Sequence, residues 1–587
     1  MIKMRLIILS LLFFCAATVQ AAVITPDREE IRYTGRWDHS TPTKPWAYWI
    51  GSSIIANFTG TSISATLSAS NTDYIRVIID GNATVSEKIQ ISSAELTYFL
   101  AENLDISEQH TVEIVKETDG GRLIFHQFLL DEGERLVSLP VPDEPVRKIS
   151  FYGDSNLAGY SLESEQNQSD RSLRGSYYGY AGITARMFGA EYENISRSGA
   201  TLRSMNNAFD RIDYWSPDPA WDFEKFLPDV VVVNLGANDV GRPKKRIKNY
   251  YHAFLDDLRA VYPDAHIMLF NGWGWDYDEP ANYIHEVIEE RFDPDMSWAV
   301  FPWLFEQWHG CEYDHAGMAQ VLADHLSSVL VGWDPIPSDV MSGFGVDGDV
   351  ANGSFEEVAP FGGFGWRYST VDSGIVRIYH PAPDGIPTSE SAYDGNYYLR
   401  LNNGKSVHQP NPAEDGQVVT VTVWIRGASN GDKAKITIDF RDQEMWTAPL
   451  KTVTHTIDDL TTNWQSYTMT ATAPSGGSKP VYHTRLTLQA ASGDYVVFDS
   501  VVMSIDTPGC GDGVCEGDET IENCSLDCIC TSDSDCNNFE PCTIDTCEQG
   551  ECINTWDPDC SACIQKGLAC TDDSDCCTGR CKNGKCR

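Results

Sequence analysis

Short apolar and alternating runs, separated by turn-forming residues, occupy the chain from residue 23 to residue 145. Runs of this length bounded by Gly, Asn, Asp and Ser are typical of the strands of a β-sandwich. We therefore predict an N-terminal sandwich of the jelly-roll kind over residues 23–145, with a hinge at Val141–Pro145. The clearest runs are Ser53–Phe58, Ser62–Leu67, Tyr74–Ile79 and Thr111–Val115.

The pattern changes between residues 146 and 333, where apolar runs alternate with amphipathic stretches of helix length. This alternation predicts a three-layer α/β domain built on a parallel sheet. The strand-like runs are Ile149–Tyr152, Val230–Val233 and His266–Phe270, and the helix-like stretches are Tyr178–Phe188, Ile247–Val261 and Ala281–Arg291.

Strand-like runs return after a linker at residues 334–345, which is rich in Pro and Gly. They predict a second jelly-roll sandwich over residues 346–505. Cysteine-rich segments follow at 510–560 and 561–587, and we expect small disulfide-stapled modules there because such short units lack a sufficient hydrophobic core.

The cysteines are placed unevenly, since sixteen of the 18 lie between Cys510 and Cys586. An even cluster in an exported chain predicts a disulfide framework. Cys15 falls in a predicted signal peptide at residues 1–22, in which the apolar run Leu6–Ala17 follows a basic start. We therefore expect a secreted protein in which Cys311 is the odd one out, a buried thiol.

The charge balance of the chain argues against two classes of binding partner. The 587 residues include 85 Asp and Glu against 43 Lys and Arg, a net charge of −42. Binding to nucleic acid or to an anionic membrane surface relies on Lys and Arg, so both are excluded as partners. Beyond the signal peptide no apolar run reaches the length of a membrane span, and we predict no membrane insertion.

Three polar motifs follow strand-like runs of the predicted parallel sheet: Gly153-Asp154-Ser155, Gly199 and Asn238. The carboxyl ends of parallel strands share one edge, where such folds bind ligands. We therefore expect these residues to lie together. The N–H groups of Ser155 and Gly199 and the side-chain amide of Asn238 can then donate to the oxyanion of an acyl transfer.

In this order the motifs resemble the sequence blocks of the SGNH (GDSL-type) hydrolases. The resemblance implies Ser155 as the nucleophile and Ser155, Gly199 and Asn238 as the oxyanion hole. The fourth block of that family is Asp-x-x-His, and Glu312-x-x-His315 keeps its spacing with Glu in place of Asp.

The base remains open between two histidines. We favour His315, with Glu312 orienting it, from the spacing and the geometry that a triad requires. His309 is the alternative base, because Glu306 precedes it at the same spacing. Asp314 can instead cap the last helix, which places His315 in its first turn.

A sandwich directly before the Gly-Asp-Ser strand resembles carbohydrate esterase family 2. Thr34-Gly35-Arg36, Trp49–Ser52, Phe58–Thr61 and Gly310–Tyr313 are similar to that family's motifs, over about residues 27–333. The resemblance implies deacetylation of plant polysaccharides without a metal or other cofactor, and some relatives use only a Ser–His dyad. Trp273 and Trp275 are candidates to stack on a sugar ring, with core packing as the alternative.

The C-terminal sandwich resembles the carbohydrate-binding modules of families 4 and 9, through Asn352–Glu356, Asp394–Leu399 and Phe498–Val501. Candidate sugar platforms there are Trp366, Trp424, Trp446 and Trp464, each of which can equally be a core residue. The last six cysteines resemble a knottin, which implies the pairs Cys563–Cys577, Cys570–Cys581 and Cys576–Cys586. The tail is expected either to bind a surface or glycan or to act as a spacer.

The sequence thus predicts a secreted serine esterase that removes O-acetyl groups from polysaccharide. Two rival hypotheses remain. One is a carbohydrate-binding or adhesion protein with a degenerate hydrolase core, which the altered fourth block supports. The other is a lipase or thioesterase on the same fold.

Overall fold

The computed structural model describes most of the chain up to residue 506 and parts of the tail. The predictions for Trp273, Trp275, Trp446, Glu306 and the knottin pairing lie outside the described residues. Those residues are 21–82, 88–141, 146–164, 168–272, 283–301, 309–340, 350–357, 360, 365–367, 375–379, 391–442, 448–506, 543–548, 551–556, 581–582 and 585–586.

The described residues fall into two compact units. The first comprises those up to Ala413 together with Val421–Met469 and Gly477–Met503. The second comprises Glu414–Thr420, Thr470–Gly476 and the described residues from Ser504 onward.

The N-terminal domain is a sandwich of two antiparallel sheets, ordered β3-β4-β11-β6-β9 and β12-β5-β10-β7-β8, with β1 added beside β11 and β2 beside β5. Side chains from both sheets fill one apolar core, in which Ile54, Ala56 and Phe58 show the expected alternation. The strands are β1 (Ala22–Ile24), β2 (Arg32–Thr34), β3 (Trp37–Asp38), β4 (Trp46–Ala47), β5 (Ser53–Phe58), β6 (Ile63–Ala69), β7 (Asp73–Ile79), β8 (Ile89–Ile91), β9 (Leu96–Ala101), β10 (His110–Lys116), β11 (Leu123–Leu130) and β12 (Leu136–Val137).

The next domain is a parallel sheet between two layers of helices. The sheet has the order β14-β13-β17-β18-β19, and a short hairpin (β15, β16) lies beside it. The elements are β13 (Lys148–Gly153), α1 (Tyr180–Met187), β14 (Glu191–Ser196), α2 (Leu202–Asn206), β15 (Arg211–Asp213), β16 (Ser216–Ala220), β17 (Val230–Asn234), α3 (Lys244–Val261), β18 (His266–Gly272), α4 (Ile284–Arg291), β19 (Met296–Phe301) and α5 (Glu312–Val329).

Alternate residues of each central strand enter different cores, which explains the continuous apolar runs. Val230 and Val232 of β17 pack with α1 and α5, whereas Val231 and Val233 pack with α2, α3 and α4. Within the described part of the chain, no helix is both long and apolar enough to cross a bilayer.

The C-terminal strands form a further pair of antiparallel sheets, ordered β20-β21-β28-β23-β26 and β22-β27-β24-β25. The predicted sandwich strands are therefore present. They are β20 (Ile375–Tyr379), β21 (Tyr397–Asn402), β22 (Ser406–Pro412), β23 (Val418–Gly427), β24 (Asp432–Arg441), β25 (Lys451–Leu460), β26 (Gln465–Thr472), β27 (His483–Ser492) and β28 (Tyr495–Asp506), followed in the tail by the hairpin strands β29 (Thr543–Glu548), β30 (Glu551–Trp556), β31 (Cys581–Lys582) and β32 (Lys585–Cys586).

A buried ion pair joins the sandwich to the α/β domain. Nε of Arg36 lies 2.9 Å from Oε2 of Glu193 in β14, and both side chains are fully buried. The same guanidinium donates to the Tyr152 hydroxyl at 2.8 Å. Each charge has a compensating partner in the other domain, so this pair stabilises the contact between the two domains.

Replacing Arg36 by Met should lower the free energy of unfolding by about 3–5 kcal/mol, because the buried Glu193 carboxylate loses its partner. Urea unfolding followed by circular dichroism measures this loss. The matched control is Arg28→Met, since Arg28 pairs with Glu30 but its side chain is 52% exposed and such pairs contribute little. Equal unfolding midpoints for the two variants would contradict the role assigned to Arg36.

Candidate active site

The three sequence motifs meet at one edge of the parallel sheet. In β13, which lies between β14 and β17, Gly153 is opposite Ser196 of β14 and opposite Asn234 of β17. Ser155 follows β13, Gly199 follows β14, and Asn238 lies in a short 3₁₀ turn after β17. This edge is also where the strand order changes direction, the usual ligand position in open α/β sheets.

The structure places His309 against the serine. Nε2 of His309 lies 2.9 Å from Oγ of Ser155, within hydrogen-bond distance. The preference for His315 drawn from the sequence is therefore corrected. The histidine that keeps the family spacing, His315, contacts Tyr180 and the His309 backbone instead.

His315 is a fully buried support for its neighbours. Its Nδ1 accepts the N–H of Tyr180, the first residue of α1, at 3.2 Å. Its Nε2 lies 3.0 Å from the carbonyl oxygen of His309. Because Nδ1 accepts, Nε2 must carry the proton, and His315 is a neutral ring that holds the His309 backbone.

The start of α5 explains why His315 points away from Ser155. Cys311 is the N-cap residue, and its N–H donates to Oδ2 of Asp314 at 2.9 Å. The alternative in which Asp314 is itself the N-cap is wrong, because the helix begins at Glu312, so that Asp314 is its third residue and His315 its fourth. Glu312 is the first helical residue, buried, with its N–H donating to the carbonyl of Leu162 at 3.0 Å.

The surroundings of His309 favour its neutral form. Its ring centroid lies 4.5 Å from that of Tyr160. The Arg174 guanidinium lies over the Tyr160 ring, 4.4 Å from its centroid. Burial first, then the neighbouring His315 and Arg174, lowers the pKa of His309 to about 4. The ring is therefore unprotonated, and able to accept a proton, at neutral pH.

Asn238 is oriented by Asp154. Its Nδ2 donates to Oδ2 of Asp154 at 3.1 Å and to the carbonyl of Ala200 at 3.0 Å. Burial raises the pKa of Asp154 to about 7. Since a carboxyl group keeps an acceptor oxygen in either protonation state, the amide remains anchored beside the sheet edge.

Gly199 borders open space. Its φ is +80°, a left-handed conformation that favours glycine, and an added Cβ would meet no atom within 4 Å. Among the described residues, neither the N–H of Gly199 nor that of Ser155 donates to a backbone carbonyl.

The sandwich contributes a residue that the sequence reasoning missed. Asp119, in the loop between β10 and β11, is buried and accepts the N–H of Ser198 at 3.0 Å. It also forms an ion pair with Arg174. Asp119 thus fixes the loop that carries Gly199, and it connects that loop to the rings around His309. The sequence Asp119-Gly120-Gly121 predicts a turn at this position, but it does not predict which residues the Asp119 side chain binds.

Comparison with known families divides the region into two parts. Residues 33–140 match the carbohydrate esterase 2 N-terminal family, and residues 151–323 match the GDSL-like lipase/acylhydrolase family. The two matches correspond to the sandwich and to the α/β domain.

Two curated relatives are similar to about half of the chain. The cellulase/esterase CelE of Acetivibrio thermocellus is 33% identical over 341 residues, 53% of this chain and 41% of the relative. An acetylxylan esterase/glucomannan deacetylase of Cellvibrio japonicus is 27% identical over 307 residues, 48% of this chain and 83% of the relative. The chain thus spans less than half of the first relative's length.

A solved family two carbohydrate esterase from Clostridium thermocellum, in complex with cellohexaose, is 30% identical; the match covers 52% of this chain and 99% of that one, with a TM-score of 0.48. The two matched segments, residues 33–140 and 151–323, are therefore similar to the N-terminal domain of carbohydrate esterase family 2 and to the GDSL-like acylhydrolases.

Proposed function

We propose that the protein is a serine esterase that removes O-acetyl groups from polysaccharide. The observation that carries this proposal is the 2.9 Å contact between His309 Nε2 and Ser155 Oγ at the ligand edge of the sheet. The names of the curated relatives, acetylxylan esterase and glucomannan deacetylase, support acetylated polysaccharide as the substrate class.

His309, in place of the His315 favoured by the sequence, is proposed as the general base. The Ser155 proton passes to His309 Nε2 as Oγ forms a bond to the acetyl carbonyl carbon. The sugar oxygen then leaves with that proton, and an acetyl group remains on Ser155. Water attacks this ester, passes a proton to His309, and releases acetate as Ser155 takes the proton back.

The proposed oxyanion hole follows from the same edge. The N–H groups of Ser155 and Gly199 supply two donors, and Asn238 lies beside them as the proposed third. The Asn238 amide hydrogens bond Asp154 and Ala200 in this structure, so its share in the oxyanion hole requires one of these bonds to be exchanged for the substrate oxygen.

An exposed aromatic ring supports a sugar substrate. Trp215, in the turn between β15 and β16, is 66% exposed, and the Arg197 guanidinium supports its ring at 4.4 Å. The N–H of Arg197 in turn donates to Gly153 at 3.3 Å, two residues from Ser155. A fixed, exposed tryptophan can stack on a sugar ring next to the acetyl group.

The remaining parts are proposed to serve the same substrate outside the cell. Secretion follows from the predicted signal peptide at residues 1–22. The C-terminal sandwich and the cysteine-rich tail, with its predicted disulfides, are proposed to bind the polysaccharide or an adjacent surface.

The full-length protein should release acetate from acetylated xylan and should hydrolyse p-nitrophenyl acetate, because a neutral ester needs no charged recognition. Acetate release and colour release measure the two reactions. Faster turnover of long-chain acyl esters would instead indicate a lipase. Binding of xylan without turnover would indicate a degenerate hydrolase core.

Ser155→Ala should reduce turnover of p-nitrophenyl acetate to background, and His309→Ala should lower kcat by roughly 10²–10⁴-fold because the general base is lost. Steady-state kinetics measures both. His325→Ala is the control, since His325 lies in α5 and its ring bonds Ser297 at 2.9 Å. The assignment fails if His309→Ala keeps full kcat while a folded His315→Ala variant loses it.

The pH profile should show the lowered pKa of His309. The base is active when neutral, so kcat/KM should hold as the pH falls through 6.5 and decline only near pH 4. Arg174→Gln removes a positive charge that lowers this pKa, and its acid limb should move to higher pH. An acid limb centred at pH 6.5 in the wild type would show that burial and the neighbouring charges do not lower the pKa of His309.

A further inference from the structure

The C-terminal strands reach the helix that follows the proposed base. Arg367 forms an ion pair with Asp314 in the first turn of α5, and the two side chains are 9% and 1% exposed. The Arg367 backbone is itself fixed to β22. It donates to the carbonyl of His408 at 2.8 Å and accepts the His408 N–H at 2.9 Å.

A second contact lies one residue earlier in the helix. Nε2 of Gln409 in β22 donates to the hydroxyl of Tyr313 at 3.3 Å. Gly365 packs against the same ring so closely that a Cβ there would lie 2.6 Å from the hydroxyl oxygen. Its φ of +85° also favours glycine. Two neighbouring helical residues are therefore held by the same β22 region.

Hydrogen bonds at the start of α5 connect the Arg367–Asp314 pair to His309, the proposed base. Oδ1 of Asp314 faces Arg367, while its Oδ2 accepts the N–H of Cys311. His309 lies two residues before Cys311, and its carbonyl is held by His315 at 3.0 Å. Both Asp314 and His315 are completely buried. Asp314 and His315, which are adjacent in α5, therefore hold the two ends of the segment from His309 to Cys311.

We infer that Arg367 is a positioning residue for the esterase, so that the active site is completed by a segment beyond the family-matching region; this rests on the proposed function. Without Arg367, the buried Asp314 carboxylate would lack its cation, which is costly. The carboxylate would then turn toward water or take up a proton. Either change loosens its bond to Cys311 and lets His309 drift from Ser155, and small misplacements of a catalytic group reduce the rate strongly.

The test compares full-length Arg367→Met, Arg367→Gln and Arg367→Lys with Arg485→Met. Arg485 is the matched control, because it pairs with Asp439 at 3.1 Å between strands β24 and β27 of the same sandwich. The measurements are kcat and KM for p-nitrophenyl acetate and the rate at which a phosphonate labels Ser155. Circular dichroism and the unfolding temperature establish that each variant is folded.

We expect Met and Gln at position 367 to lower kcat and the labelling rate about 10- to 100-fold with little change in KM. Lys should restore part of the loss because it keeps the charge, and Arg485→Met should match the wild type. Folded Met and Gln variants with wild-type kcat would overturn the inference. So would failure of both to fold, which would make Arg367 a stabilising residue only. Absence of turnover in the wild type would instead reject the proposed esterase.

Discussion

A charge removed from water must be paired, and this constraint governs how the first two domains meet. Arg36 in the sandwich is compensated by Glu193 in the α/β sheet. Arg76 in the sandwich bonds Glu163 of the α/β domain at 2.5 Å, and Lys88 reaches the same carboxylate at 2.7 Å. Because these pairs cross the domain boundary, each domain supplies counter-charges to the other, in addition to pairs within the sandwich such as Lys116 with Asp73. The sandwich is therefore an integral part of the proposed esterase.

The same constraint acts at the site. Asp119 is buried at the domain boundary, where it satisfies both Arg174 and the N–H of Ser198. One carboxylate thus neutralises a cation near the proposed base and orders the loop that supplies Gly199. Orienting the oxyanion donors before the substrate arrives avoids reorganisation during the reaction. Through Asp119, the sandwich thereby contributes to the proposed chemistry.

Local sequence patterns predicted the helices and strands, but they could not predict side-chain contacts between residues far apart in the chain. The run Ile149–Tyr152 marks β13 to within one residue at each end, because a strand buried on both faces must be apolar throughout. The strand ends then placed Ser155, Gly199 and Asn238 together. The choice between His309 and His315 depended on which ring reaches Ser155, and a distant contact, the bond from the Tyr180 N–H to His315, helps to decide that. No spacing rule could connect Asp119 or Arg367 to the site, since their partners are 79 and 53 residues away in the chain.

His315 has a consequence for the behaviour of the protein in acid. Burial lowers its pKa from 6.5 to about 4, so its contribution to stability is complete above pH 6.5 and is lost as the pH falls through about 4. Protonation would place a second N–H against the Tyr180 N–H, and the two donors would repel each other. In the same pH interval the proposed base takes up its own proton. Acid would therefore protonate His309 and, in the same pH interval, displace the His315 ring that holds the His309 carbonyl. Activity would then fall more steeply with decreasing pH than the titration of one group allows.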